Sequence, residues 1–138
     1  MANNFLFNGI LPKELELKII DMKFEIELND NIKSIRKTLV DGIEQGEIAD
    51  EYYPHGQQTN FLIYIGGEYK TLLMRLDRFQ QNQINLIKKL ELSNVDMNVI
   101  KLFENGNKKQ LHLYINNDIK NQINQIESNA INNNFVSI

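Results

Sequence analysis

The sequence predicts an α+β protein, an antiparallel sheet built from tandem strand-turn-strand-helix (ββα) units with the helices packed on one face. Three observations carry that expectation: an internal repeat, a glycine-containing dipeptide at the same place in each copy, and runs in which apolar and polar residues alternate. Residues 61–87, FLIYIGGEYKTLLMRLDRFQQNQINLI, align without a gap on residues 100–126, IKLFENGNKKQLHLYINNDIKNQINQI. Gly67 falls on Gly106, Leu72 on Leu111, and Asn82-Gln83-Ile84-Asn85 on Asn121-Gln122-Ile123-Asn124, with Ile87 on Ile126.

The first unit spans about residues 11–45 and is the most degenerate copy. Met22-Lys23-Phe24-Glu25-Ile26-Glu27-Leu28 alternates strictly, as a half-buried strand does, and Leu15, Leu17 and Ile19 alternate just upstream. Asn29-Asp30-Asn31 then offers a cap for an amphipathic helix with Ile32, Ile35, Leu39 and Ile43 on one side. Residues 42–60 hold three glycines and a proline without any period, which reads as a long surface loop.

The second unit spans residues 61–91. Gly66-Gly67 tolerates the positive φ of a tight hairpin turn, so the unit reads as a hairpin followed by a helix from about Asp77. A second reading stays open over the same residues. Tyr69, Leu72, Leu76, Phe79, Gln83, Leu86 and Leu90 alternate steps of three and four, the spacing of one continuous helix with a coiled-coil-like seam.

The third unit spans residues 100–128. Asn105-Gly106 supplies the turn, Leu111, Leu113 and Ile115 share one strand face, and Ile119, Ile123 and Ile126 recur at helical spacing. The predicted core is Ile63, Leu111, Leu113, Ile115, Ile123 and Ile126, with Ile87 and Leu90 beside it. Residues 1–128 form a single domain on this reading, and 129–138 form a flexible C-terminal tail.

Composition narrows the function classes. A chain of 138 residues with 42% hydrophobic and 24% charged residues suits one globular domain. A net charge of −3 gives no electrostatic case for nucleic acid, although Lys88, Lys89, Lys108 and Lys109 form local basic pairs. No cysteine is present, which removes disulfides and thiolate metal sites and suits a reducing cytoplasm. The first residues lack the basic and apolar regions of a secretory signal, and no apolar run approaches a membrane span. Twenty Asn, nineteen Ile and twelve Lys against three Arg indicate an AT-rich genome, such as that of a phage, virus or mobile element.

No reactive constellation emerges. His55 and His112 are the only histidines and stand in no metal-ligand pair, so neither a metal nor another cofactor is expected. No nucleophile turn and no phosphate loop is present, so no catalytic residue is assigned and the expectation leans away from an enzyme. The candidate binding residues are Asp50, Glu51, Tyr52, Tyr53 and His55 in the long loop. Arg75 and Arg78 join them, placed where an anion would meet a helix N-terminus. Leu72, Leu76, Phe79, Gln83 and Leu86 form a stripe read as an oligomer interface. These features favour a non-enzymatic protein-protein interaction, inhibitor or adaptor protein that self-associates as a homodimer. The alternative is a sponge or sensor that encloses a small anionic ligand or nucleotide.

Overall fold

In the computed structural model, residues 12–133 are described, and they contain helices and no strand. Helix α1 runs over Pro12–Tyr52, α2 over Gln57–Leu92 and α3 over Met97–Leu113, followed by a π-helical stretch Tyr114–Ile119 and then α4, Lys120–Asn132. The third leg of the bundle is thus one rod of three pieces. The expected α+β sheet of ββα units is overturned, and the fold is all-α with three long antiparallel legs.

The pairing of positions fixes the topology. Gly46 meets Gly66, Gly42 meets Tyr69, and Arg36 meets Asp77, so α2 descends along α1. Gln83 bonds to Asn107, Phe79 stacks on Tyr114 and Arg75 bonds to Gln122, so the third leg climbs back along α2. Antiparallel to α2, that leg is therefore parallel to α1, and it sets Lys108 beside Glu25 and His112 beside Phe24.

Each misread element has a physical cause. Alternation with period two turns a helix by about 200° per step, so it places apolar residues on two opposite helix faces as readily as on one face of a strand. Glycine serves two ends, positive φ and close approach of backbones, and here it serves the second. A Cβ on Gly46 would lie 2.8 Å from the Leu62 carbonyl oxygen and 3.1 Å from Gly66 Cα, and one on Gly66 would lie 3.2 Å from Gly42 O. Helices α1 and α2 therefore touch backbone to backbone inside what was expected to be a loop and a hairpin turn. Residues 42–60 form the end of α1, a short connection at residues 53–56 and the start of α2.

The continuous-helix reading of residues 69–91 is the one that holds. Tyr69, Leu72 and Leu76 are buried, Phe79, Gln83 and Leu90 are half-buried, and only Leu86 is exposed. The core gathers Leu28, Ile35 and Leu39 from α1, those three from α2, and Leu111, Ile115, Ile119, Ile123 and Ile126 from the third leg. Of the expected core, Leu111, Ile115, Ile123 and Ile126 are buried, Ile63, Ile87 and Leu90 are half-buried, and Leu113 is 55% exposed.

The π-helical stretch follows from the spacing of that last set. Leu111, Ile115, Ile119 and Ile123 recur in steps of four, and each such step overshoots an α-helical turn by about 40°. Widening the turn, so that the Lys120 N–H donates to the Ile115 carbonyl, returns the side chains to one line. Ile115 and Ile119 are consequently fully buried.

The connections are ordinary helix punctuation. Pro54 halts α1, and the Thr59 hydroxyl donates to the Pro54 carbonyl at 2.7 Å, closing the first turn of α2. Asn94, at φ 57°, ends α2 in a Schellman motif in which Asn94 N–H donates to Glu91 O and Val95 N–H to Leu90 O. Asp96 then caps α3 by accepting from Asn98 N–H at 2.7 Å. At the far end α4 continues to Asn132 with Ala130 fully buried, and residues 134–138 of the expected tail lie outside the described residues.

Candidate partner-binding face

The first half of α1 carries the unusual chemistry. Counting turns at about 100° per residue, its alternating apolar residues separate into two opposed stripes. Phe24 and Leu28 fall on the stripe turned to the bundle, while Leu17, at the same helical angle nearer the start of α1, is 53% exposed. Leu28 is buried, and the Phe24 ring sits 5.2 Å from the His112 ring, tilted by 59°. Leu15, Ile19, Met22 and Ile26 fall on the opposite stripe, in steps of four, three and four. Ile19 is 44% exposed, Met22 61% and Ile26 58%. Leu15 is half-buried.

The neighbouring ends of the other legs are also rich in exposed apolar side chains. Ile84, Leu86 and Leu92 on α2 and Met97, Val99, Leu102 and Phe103 on α3 are all exposed. Between these helices lies a shallow groove of about 390 Å³, lined by Ile84 and Ile87 together with the charged Lys88, Glu91, Glu104 and Lys108. Gln83 closes one end of it by donating its side-chain N–H to the Asn107 carbonyl at 2.8 Å. Lys108 in turn reaches across to Glu25 at 3.0 Å. This end of the bundle exposes far more apolar surface than scattered single residues would.

The residues singled out from sequence are dispersed. Asp50, Glu51 and Tyr52 end α1, and Tyr53 and His55 lie in the connection, all exposed. Tyr53, His55 and Thr59 line a shallow depression of about 430 Å³ there. Arg75 and Arg78 lie in the middle of α2, so no helix N-terminus stands beside them. Arg75 donates to the Gln122 side chain at 3.0 Å, and Asp77 pairs with Arg36. Arg75 lies eighteen residues beyond the start of α2 at Gln57, about 27 Å at 1.5 Å per residue. The loop and the arginines therefore do not converge on one small ligand.

Within the expected oligomer stripe, Leu72 and Leu76 are buried in the subunit core, Phe79 stacks on Tyr114 with centroids 4.3 Å apart, and Gln83 holds Asn107. Leu86 alone of that set is exposed. Sequence reasoning missed the outward stripe of α1, whose signal was the four-three-four spacing of Leu15, Ile19, Met22 and Ile26 hidden beneath the alternation.

Among the described residues no cluster of three or more His, Asp or Glu side chains is arranged to hold a metal. None of their helices is long and apolar enough to cross a membrane. No protein-family model, curated protein or solved structure matches the chain.

Proposed function

We propose that the chain is a non-enzymatic protein-interaction module of the inhibitor or adaptor kind, working in the cytoplasm, whose binding face is the apolar end of the bundle. The observation that supports this reading is the outward stripe of Ile19, Met22 and Ile26, which contributes nothing to the subunit core and lies at the same end of the molecule as the exposed apolar residues of α2 and α3. A surface of this kind is costly to keep in water and is a recurrent mark of a docking site. The opposite end of the same molecule exposes fewer large apolar side chains, Ile48, Tyr52, Tyr53 and Ile131.

Substituting Ile19→Lys together with Ile26→Lys tests the reading. The pair should change unfolding free energy by less than about 0.5 kcal/mol, as surface substitutions do. It should also lower the fluorescence enhancement of 8-anilinonaphthalene sulfonate, a dye that reports accessible apolar surface. A loss of about 2 kcal/mol or more would make these side chains part of the fold, and unchanged dye binding would place the sticky surface elsewhere.

A further inference from the structure

The charges that flank the outward stripe specify its occupant. With Leu15 and Met22 at d and Ile19 and Ile26 at a of a heptad, Glu16 and Lys23 take the e positions, and Lys18 and Glu25 take the g positions. In a parallel pair of such helices, g of one chain faces the following e of the other, which would set Lys18 against Lys23 and Glu25 against Asp30. In an antiparallel pair, e faces e and g faces g. Glu16 then meets Lys23 of the second chain, Lys18 meets Glu25, and two-fold symmetry repeats both contacts. The apolar layers match as well, Leu15 against Ile26 and Ile19 against Met22.

We infer that a second copy of this chain covers the stripe, the two α1 segments of residues 12–29 crossing antiparallel about a two-fold axis near residues 20 and 21. The arrangement rests on the interaction face argued above and deepens it by naming the partner. Glu16 and Lys23 have no ion-pair partner within the subunit among the described residues, so both are available to the second copy. Glu25 bonds to Lys108 through one carboxylate oxygen and keeps its side chain about half exposed, which leaves room for Lys18 of the other chain. The opposite side of the helix, with Phe24 and Leu28, is already committed to the bundle, so the stripe meets its copy without unpacking the core. Two heptads make a short seam, so the association depends on concentration.

Sedimentation equilibrium at low ionic strength over a wide concentration range tests this arrangement, with circular dichroism to confirm that every variant keeps its helices. The wild-type mass should climb from 16.1 kDa towards twice that value. Lys23→Glu sets two carboxylates together at each end of the antiparallel seam and should weaken association by roughly three- to tenfold. Adding Glu16→Lys to it restores the opposite charges and should return the wild-type midpoint, and raising the salt should shrink all three differences. Tighter association of Lys23→Glu would mean a parallel pair and overturn the antiparallel one. Association untouched by Ile19→Lys would place the contact elsewhere and overturn it too. A monomer at every concentration overturns the dimer outright. If that monomer still binds the apolar dye through Ile19, the face belongs to a different protein. If it does not, the proposed interaction function falls with the dimer.

Discussion

The two ends of this bundle are made of similar residues and differ in how closely the helices approach. Where α1 meets α2 near Gly42, Gly46 and Gly66, the missing side chains let the backbones touch. The Tyr69 ring fills the space over Gly42, where a Cβ would come within 2.4 Å of it. Leu39, Ala49, Leu72 and Leu76 are closed off around that contact. Where α1 begins and α2 ends there is no glycine contact, and the long side chains of Leu17, Ile20, Ile84 and Leu86 remain in water. Close packing at one end supplies stability, which frees the other end to keep an apolar surface for something outside the subunit.

The sharpest way to break this comparison is to delete the same side chain at both ends. Leu39→Ala empties a fully buried site and should cost about 2–5 kcal/mol. Leu17→Ala removes a side chain that is mostly in water and should cost less than about 0.5 kcal/mol. Urea denaturation of the two variants reads both values. Comparable losses would mean that the first half of α1 is as much a part of the cooperative fold as the glycine-packed end.

Glycine substitutions sharpen it further, because the same change should have opposite signs at Gly46 and Gly67. Gly46→Ala drives a methyl group into the Leu62 carbonyl oxygen and Gly66 Cα, backbone that cannot swing aside, and should cost about 1–3 kcal/mol despite the better helix propensity of alanine. Gly67 has open space where its Cβ would be, so Gly67→Ala should stabilise by about 0.5–1 kcal/mol, read as a shift of the urea midpoint. A destabilised Gly67→Ala would mean that the residue serves a backbone need other than close approach.

These glycines also show how much could be read from the sequence. The helix over residues 31–43 was legible because Ile35 and Leu39 stand at helical spacing with no competing period, and both are core. The repeat was informative in a different way from the one expected. Its aligned pairs Leu72 with Leu111 and Leu76 with Ile115 are all buried, so the alignment matched two core seams rather than two hairpins. Gly66-Gly67 misled because a glycine that avoids a clash and a glycine that adopts positive φ look alike until the facing helix is known. Leu113 misled because two residues along a helix is a turn of about 200°, which carries it away from Leu111 and Ile115. The binding face was harder still. Its residues obey two periods at once, and only the packing of Phe24 and Leu28 tells which stripe faces in.

Tyr69 offers the smallest test, and it probes the closed end by proton rather than by volume. Its ring is buried against Gly42, and its hydroxyl donates to Glu127 at 3.0 Å, joining α2 to α4. Burial first, then the hydrogen bond and the charge of Glu127, push the phenol above its usual pKa of 10.0. The folded chain therefore keeps a proton that the unfolded chain releases. Its contribution to stability is complete below about pH 10 and declines as the pH rises past that value. Tyr114 is also raised, by burial against an opposing effect of Arg75, so it adds a second contribution of the same sign. Tyr69→Phe removes one hydrogen bond and should cost about 1 kcal/mol at neutral pH. It should also flatten the alkaline decline without abolishing it, because Tyr114 remains. Urea melts of both proteins at about pH 8 and about pH 11 make the comparison. An alkaline decline as steep in Tyr69→Phe as in the wild type would mean that this phenol ionises in the folded protein, and that the glycine-packed end is wetter than its geometry implies.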